Sequence, residues 1–126
     1  IEQGAKLVLG GEVEGCNFQP TLLDRVKPDN ITFVEETFGP LATLIRAKNE
    51  HEAMELANAH RYGLASSIWT NDRERAYKLA RKLEAGNVFI NSMVRSDSRI
   101  PFGGIKKSGF GRELGAIGIR EFMNIK

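Results

Sequence analysis

The sequence predicts an α/β fold built on a mainly parallel sheet. Three observations lead there. Residues 41–91 alternate short apolar runs with amphipathic stretches, in the order strand, helix, strand, helix, strand. The connections are short, and each helix is long enough to carry a crossover between parallel neighbours. Capping residues stand at the junctions: Asn49 with Glu52, Asn71 with Glu74, and glycines at 63 and 86.

In chain order, residues 1–4 read as the last turn of a helix closed by Gly4. Residues 6–9 are a short apolar strand ended by Gly10-Gly11, and 12–17 a polar surface excursion. The segment 18–26 contains Pro20, so an edge strand is expected rather than a central one. Lys27-Pro28-Asp29-Asn30 is turn chemistry. Residues 41–46 form the next apolar run. Ala53, Leu56, Ala57 and His60 then follow at helical spacing, to Gly63. Residues 65–70 read as a strand. Ala76, Leu79, Ala80 and Leu83 make a second helical stripe, ended by Gly86, and 87–91 is a strand with Val88, Phe89 and Ile90 buried. The segment 92–111 has no evident secondary structure, and connections as long as this are usually functional. A broken helix is expected from Arg112 past Gly118 to Met123.

The totals exclude several classes. A chain of 126 residues suffices for one domain with a core. A formal charge of +2 argues for neither a nucleic-acid nor an anionic-membrane partner. The one cysteine, Cys16, allows no intrachain disulfide and makes a reducing cytoplasmic setting the default. No apolar run reaches membrane-spanning length, and no metal-ligand spacing occurs. The chain begins Ile1-Glu2-Gln3 and ends on a polar-apolar alternation at 124–126, which reads as a piece of a longer polypeptide.

Two stretches are dense in chemistry. In Ile100–Glu113, four glycines fall within nine positions, among two phenylalanines and three cations. The Walker A pattern fails there because Lys106, not glycine, precedes Lys107-Ser108; the dinucleotide fingerprint fails because Leu114 stands where glycine is needed. A tight connection without a ligand and a site-lining loop both remain open. In Glu35-Glu36-Thr37-Phe38-Gly39-Pro40, one reading is a solvated acidic turn with a core phenylalanine. The other is a carboxylate that accepts sugar hydroxyls beside an aromatic packed on a ring. The expectation is that the two stretches share one cleft beyond the carboxyl ends of the strands. Cys16 lacks a neighbouring base and reads as incidental. His51 and His60 read as helix-end surface residues. The basic face of Arg73, Arg75, Lys78, Arg81 and Lys82 reads as solvation, since no aromatics interleave it.

Taken together, the stretches resemble a known family. Residues 35–40 look like the Glu-Glu-x-Phe-Gly-Pro motif of NAD(P)-dependent aldehyde dehydrogenases, and 101–113 like its late Pro-Phe-Gly-Gly-x-Lys-x-Ser-Gly-x-Gly-Arg-Glu signature. Asn58, Tyr62-Gly63-Leu64-Ala65 and Gly86-Asn87-Val88-Phe89-Ile90-Asn91 fit the same text, so the resemblance covers the chain in order. It implies an incomplete three-layer αβα domain of the catalytic type, the C-terminal portion of that domain over 1–126, with the cofactor-binding domain absent. The family oxidises aldehydes through a cysteine thiohemiacetal, hydride transfer to NAD(P)+, and thioester hydrolysis with a glutamate base.

By resemblance, Glu36 holds the nicotinamide ribose hydroxyls and Phe38 packs beside that ribose. Phe102 and the loop 92–100 border the aldehyde tunnel. The family's nucleophile lies further before the acidic motif than the 35 residues that precede Glu36, so no catalytic residue is expected in this chain. Asn91 to Arg99 resembles the succinate-semialdehyde branch, in which a loop serine binds the distal carboxylate. Ser96 matches it, with Arg99 the second candidate, or else Arg95 and Arg99 are rim or subunit-contact residues. The expected parent is a homo-oligomeric NAD- or NADP-dependent enzyme acting on succinate semialdehyde or another small aldehyde. The piece alone is expected to be inactive and to hold no cofactor. The alternative is a stand-alone binding or assembly module.

Overall fold

The computed structural model describes residues 1–124 and 126, and the chain divides into two compact units, Ile1–Leu56 and Ala57–Lys126. The expectation of a strand at 124–126 falls partly outside the described residues.

The first unit opens on a turn in which the Gly4 amide donates to the Ile1 carbonyl at 2.8 Å. Strand β1 (Lys6–Leu9) follows, where the sequence placed it. The polar stretch 12–17 is not plain loop: β2 (Val13–Glu14) and β3 (Asn17–Phe18) form an antiparallel hairpin. Gly15 takes the first central position at φ +57°, where hairpin turns favour glycine. Strand β4 (Thr21–Asp24) overturns the edge-strand expectation. It is the centre of the sheet order β1-β4-β5, antiparallel to β1 and parallel to β5 (Leu41–Thr43). Pro20 stands just before the strand, where its missing N–H costs no ladder bond.

Helix α1 (Ile31–Val34) was not legible; it is a single turn whose N-cap, Asn30, accepts from the Thr32 amide at 3.0 Å. The unit's core gathers Ala5, Leu23 and Val26, with Phe33, Leu41 and Ile45 against them. At the end of β4 the buried Asp24 accepts from both arms of Arg46, at 2.9 and 2.6 Å, and from the Arg25 amide at 2.7 Å. Helix α2 (Glu50–Asn58) starts as expected: Asn49 Oδ1 accepts from the Glu52 amide at 2.9 Å, and Glu52 reaches back to the Lys48 amide.

The second unit holds β6 (Tyr62–Gly63), β7 (Ala65–Ile68), α3 (Arg73–Ala80), β8 (Asn87–Ile90), β9 (Ile105–Lys106) and α4 (Gly115–Arg120). Strands β7 and β8 are parallel neighbours joined through α3, the crossover the alternation predicted. Strands β6 and β9 pair antiparallel. The strands of 41–91 do not make one ladder: β5 pairs with β4, while β7 pairs with β8. Three local expectations also shift. The cap of α3 is Asp72, whose side chain accepts from the Arg75 amide, rather than Asn71. The first helical stripe stops at Asn58, and Gly63 is a strand residue. Val88, Phe89 and Ile90 are half-buried rather than buried, because the unit covers only part of the β8 surface.

Glycines 63 and 86 are placed by close approach. A Cβ at Gly86 would lie 1.8 Å from the Gly103 carbonyl oxygen, and one at Gly63 would lie 2.6 Å from that of Glu84.

The Asp24 cluster yields a pH prediction. The Arg46 hydrogen bonds, then the Arg25 amide, hold the Asp24 carboxyl down to about 2. Its unfolded value is about 3.9. The folded pKa is the lower one, so the contribution is complete above the unfolded value and disappears as pH falls toward 2. The urea midpoint of the first unit is expected to drop across that window, and Asp24→Asn to flatten the drop.

Candidate functional site

The segment 92–113 leaves the carboxyl end of β8 and returns under tight control. Asn87, the first residue of β8, holds it with a carboxamide: Nδ2 donates to the Pro101 carbonyl at 2.9 Å, and Oδ1 accepts from the Gly103 amide at 3.1 Å. Phe102 lies between those two contacts. Its own amide and carbonyl pair with Glu113, both at 2.8 Å. Two of the three cations of the glycine-dense stretch are spent inside the unit. Arg112 Nη1 donates to the carbonyls of Gly104 and Gly111, at 2.9 and 2.6 Å. Lys106 Nζ donates to the carbonyls of Asn58 and His60, at 2.7 and 3.1 Å, and pairs with Glu84. A cation thus closes the C-terminal end of α2. Ser108 Oγ accepts from the Gly63 amide at 3.0 Å.

Sequence reasoning assigned no role to three asparagines that do the same work. Asn58 bonds the Lys82 carbonyl and the Glu84 amide, both at 2.9 Å. Asn91 bonds the Thr70 carbonyl and amide, at 2.8 and 2.9 Å, from a backbone at φ +52°. With Asn87, each presents one donor and one acceptor as a peptide group does. For Asn87 and Asn91 the available signal was asparagine at the start of a strand and just past its end, where strand propensity disfavours it.

Ser96 is exposed and makes no hydrogen bond to the described residues. Arg99 is exposed and paired with Asp97 through Nε at 2.8 Å and Nη2 at 2.6 Å. That guanidinium, with the Arg99 amide, keeps the Asp97 carboxyl well below the usual carboxylate range. Phe102 is half-buried and lines a cleft of about 540 Å³ with Leu64, Phe110, Arg112 and Phe122. Ser92, Arg95 and Asp97 line another, of about 610 Å³, with Arg73 and Tyr77 of α3. The structure thus sets Ser96, Arg99 and Phe102 on one loop, and of the three Phe102 alone lines either of these two clefts.

Glu36 and Phe38 belong to the first unit. Phe38 is 91% exposed at φ +29°, which removes the core-phenylalanine reading. Glu36 is exposed. The Pro40 carbonyl accepts from the Thr21 amide at 2.8 Å, tying the end of the acidic turn to β4. Cys16 is an exposed turn residue of the β2–β3 hairpin. Among the described residues, no group of three or more His, Cys, Asp or Glu could hold a metal, and no helix is long and apolar enough to cross a membrane.

The sequence matches the aldehyde dehydrogenase family over residues 1–126. The chain belongs to the aldehyde dehydrogenase family. It is 48% identical over its whole length to succinate semialdehyde dehydrogenase [NAD(P)+] Sad of Escherichia coli, and covers 28% of that protein. It is 50% identical, again covering 28%, to a probable succinate-semialdehyde dehydrogenase [NADP(+)] of Synechocystis. Among solved structures, a salicylaldehyde dehydrogenase of Pseudomonas putida G7 with salicylaldehyde superposes at TM-score 0.94, with 42% identity, over 99% of this chain and 26% of that one. A succinic semialdehyde dehydrogenase of Streptococcus pyogenes with NADP+ gives 0.92 and 41%, over 98% and 28%. The chain therefore spans little more than a quarter of the relatives it matches. The mixed α/β fold with a partial sheet agrees with an incomplete αβα domain of this family.

Arg112 gives the test of the loop's internal bonding. Arg112→Met keeps the aliphatic stem and removes both bonds, which is expected to cost about 2 kcal/mol in urea unfolding. Amide exchange across 103–112 should speed up while that of β7 stays unchanged.

Proposed function

We propose that this chain is the later part of the catalytic domain of an NAD(P)-dependent aldehyde dehydrogenase, and that the complete enzyme oxidises succinate semialdehyde to succinate. The observation that carries the reading is Phe38, an aromatic held out of any core at positive φ, two residues after the exposed Glu36. A ring and a carboxylate so presented suit a ribose with its base, since one carboxylate accepts two hydroxyl donors. The dinucleotide, when bound, supplies the hydride acceptor. Glu36 orients the ribose, Phe38 packs against it, and water is displaced from that face.

On the aldehyde side, Phe102 forms a wall and Ser96 donates its hydroxyl to the distal carboxylate of the substrate. Arg99 adds charge: Asp97 occupies Nε and Nη2, fixing the guanidinium plane, and Nη1 remains to donate. The nucleophile and the base belong to other parts of the enzyme. Covering chain is also what the exposed aromatics call for: Phe110 is 102% and Phe122 92% exposed. Choice between NAD and NADP, a homo-oligomeric state and a cytoplasmic setting belong to the same proposal. The second reading, an enzyme for a different small aldehyde, is favoured by the salicylaldehyde dehydrogenase among the similar structures.

In the full-length enzyme, Glu36→Gln is expected to raise KM for the dinucleotide or lower kcat, roughly tenfold or more, from loss of a charged acceptor. Ser96→Ala should raise KM for succinate semialdehyde and leave that for an uncharged aldehyde of equal length unchanged. Equal effects on both aldehydes would favour the second reading. The isolated chain should form no NAD(P)H from any aldehyde.

A further inference from the structure

We infer that Asn87 is the positioning residue of the Phe102 wall: its carboxamide sets where that ring stands and so how tightly the aldehyde is held. The inference rests on the reading of Phe102 as a tunnel residue. Asn87 grips the chain on both sides of Phe102 and, in that reading, does not touch the substrate. Nδ2 holds the Pro101 carbonyl and Oδ1 the Gly103 amide, while Glu113 pairs with the amide and carbonyl of Phe102 itself. The backbone of 101–103 is therefore fixed at four points, two of them on one side chain. Asn87 is anchored in turn as the first residue of β8, in parallel register with Ala65, its amide donating to Leu64 at 3.3 Å. The chain of contacts runs from a sheet strand, through one carboxamide, to one aromatic.

Only a carboxamide of this length supplies a donor and an acceptor to both contacts at once. An aspartate keeps the acceptor and sets a carboxylate against the Pro101 carbonyl. An alanine releases both contacts and leaves the Glu113 pairing, so Phe102 stays in the loop but its position widens.

The test uses the full-length enzyme that carries this segment, with Asn87→Ala, Asn87→Asp, Phe102→Ala and the double variants. Asn87→Ala is expected to raise the aldehyde KM roughly tenfold, from the loss of two hydrogen bonds, with kcat and the dinucleotide KM within about twofold. In the Phe102→Ala background, Asn87→Ala should have no further effect on the aldehyde KM. Should Asn87→Ala fail to fold, Asn87→Asp takes its place in the cycle with the same expected loss of effect. Amide exchange at Phe102 and Gly103 should rise in both Asn87 variants. Additive effects of the two sites, or loss of thermal stability with unchanged aldehyde KM, would overturn the role of Asn87. A Phe102→Ala enzyme with wild-type aldehyde kinetics would instead remove the tunnel reading, and the inference with it.

Discussion

The second unit depends on one close approach, between the backbones of residues 86 and 103. No side chain fits there, since a Cβ on Gly86 would meet the Gly103 carbonyl oxygen at 1.8 Å. The approach brings the returning loop against the start of β8 and puts the Asn87 carboxamide within reach of Pro101 and Gly103. From that contact the rest of the loop is built outward. Gly103 in turn lies close to Gly111, and Arg112 crosses over to the carbonyls of Gly104 and Gly111. Glycine here lets backbone meet backbone, and polar side chains then hold what the absence of bulk permits.

The polar residues of the late signature therefore have an architectural meaning before a chemical one. Lys106 closes α2, Ser108 receives the Gly63 amide, and Arg112 ties the loop to itself. A loop of this length with little apolar cover cannot be rigid by burial, so its order has to come from hydrogen bonds to partly screened backbone groups. The three clamping asparagines follow the same logic. Each replaces a pair of ladder bonds where strand or helix geometry ends, and each does so with a group that matches the peptide it pairs with. Phe102 holds its place on the loop because the loop is fixed in this way.

The alternation of β7, α3 and β8 was legible because amphipathic period and capping residues speak directly about local structure. The hairpin at 13–18 was not read, although Gly15-Cys16 is a two-residue turn with glycine first. Polarity outweighed geometry there. Pro20 misled in the other direction: its restriction applies inside a ladder, and it stands just outside one. Strand pairing was beyond the sequence, because which neighbour β5 accepts is decided by the packing of Leu23, Leu41 and Ile45 rather than by order along the chain. Glu36, Phe38, Ser96, Arg99 and Phe102 were singled out through resemblance to family motifs. The three asparagines were seen only as parts of those motifs, and their clamping role was not read, because a hydrogen-bonding partner far away in sequence leaves no local trace.

Among the described residues, only Ala5, Leu23, Val26 and Ala76 are buried apolar side chains, while Phe38, Phe110 and Phe122 stand almost wholly in solvent. Cohesion in such a chain comes from bonds of specific geometry, the Asp24–Arg46 pair in one unit and the asparagine clamps in the other. Such bonds fix local shape well and oppose the entropy of the chain weakly, each contributing about 1 kcal/mol. The apolar area that would supply the larger driving force lies on the outward faces, together with the aromatic of the acidic turn. Shape is thus specified within this chain by hydrogen bonds, while many of its large apolar side chains stay on the outward faces. Glu36 and Phe38 lie on such an uncovered stretch, so the work proposed for them on a ribose would require that face to be shielded from water, which competes for the carboxylate.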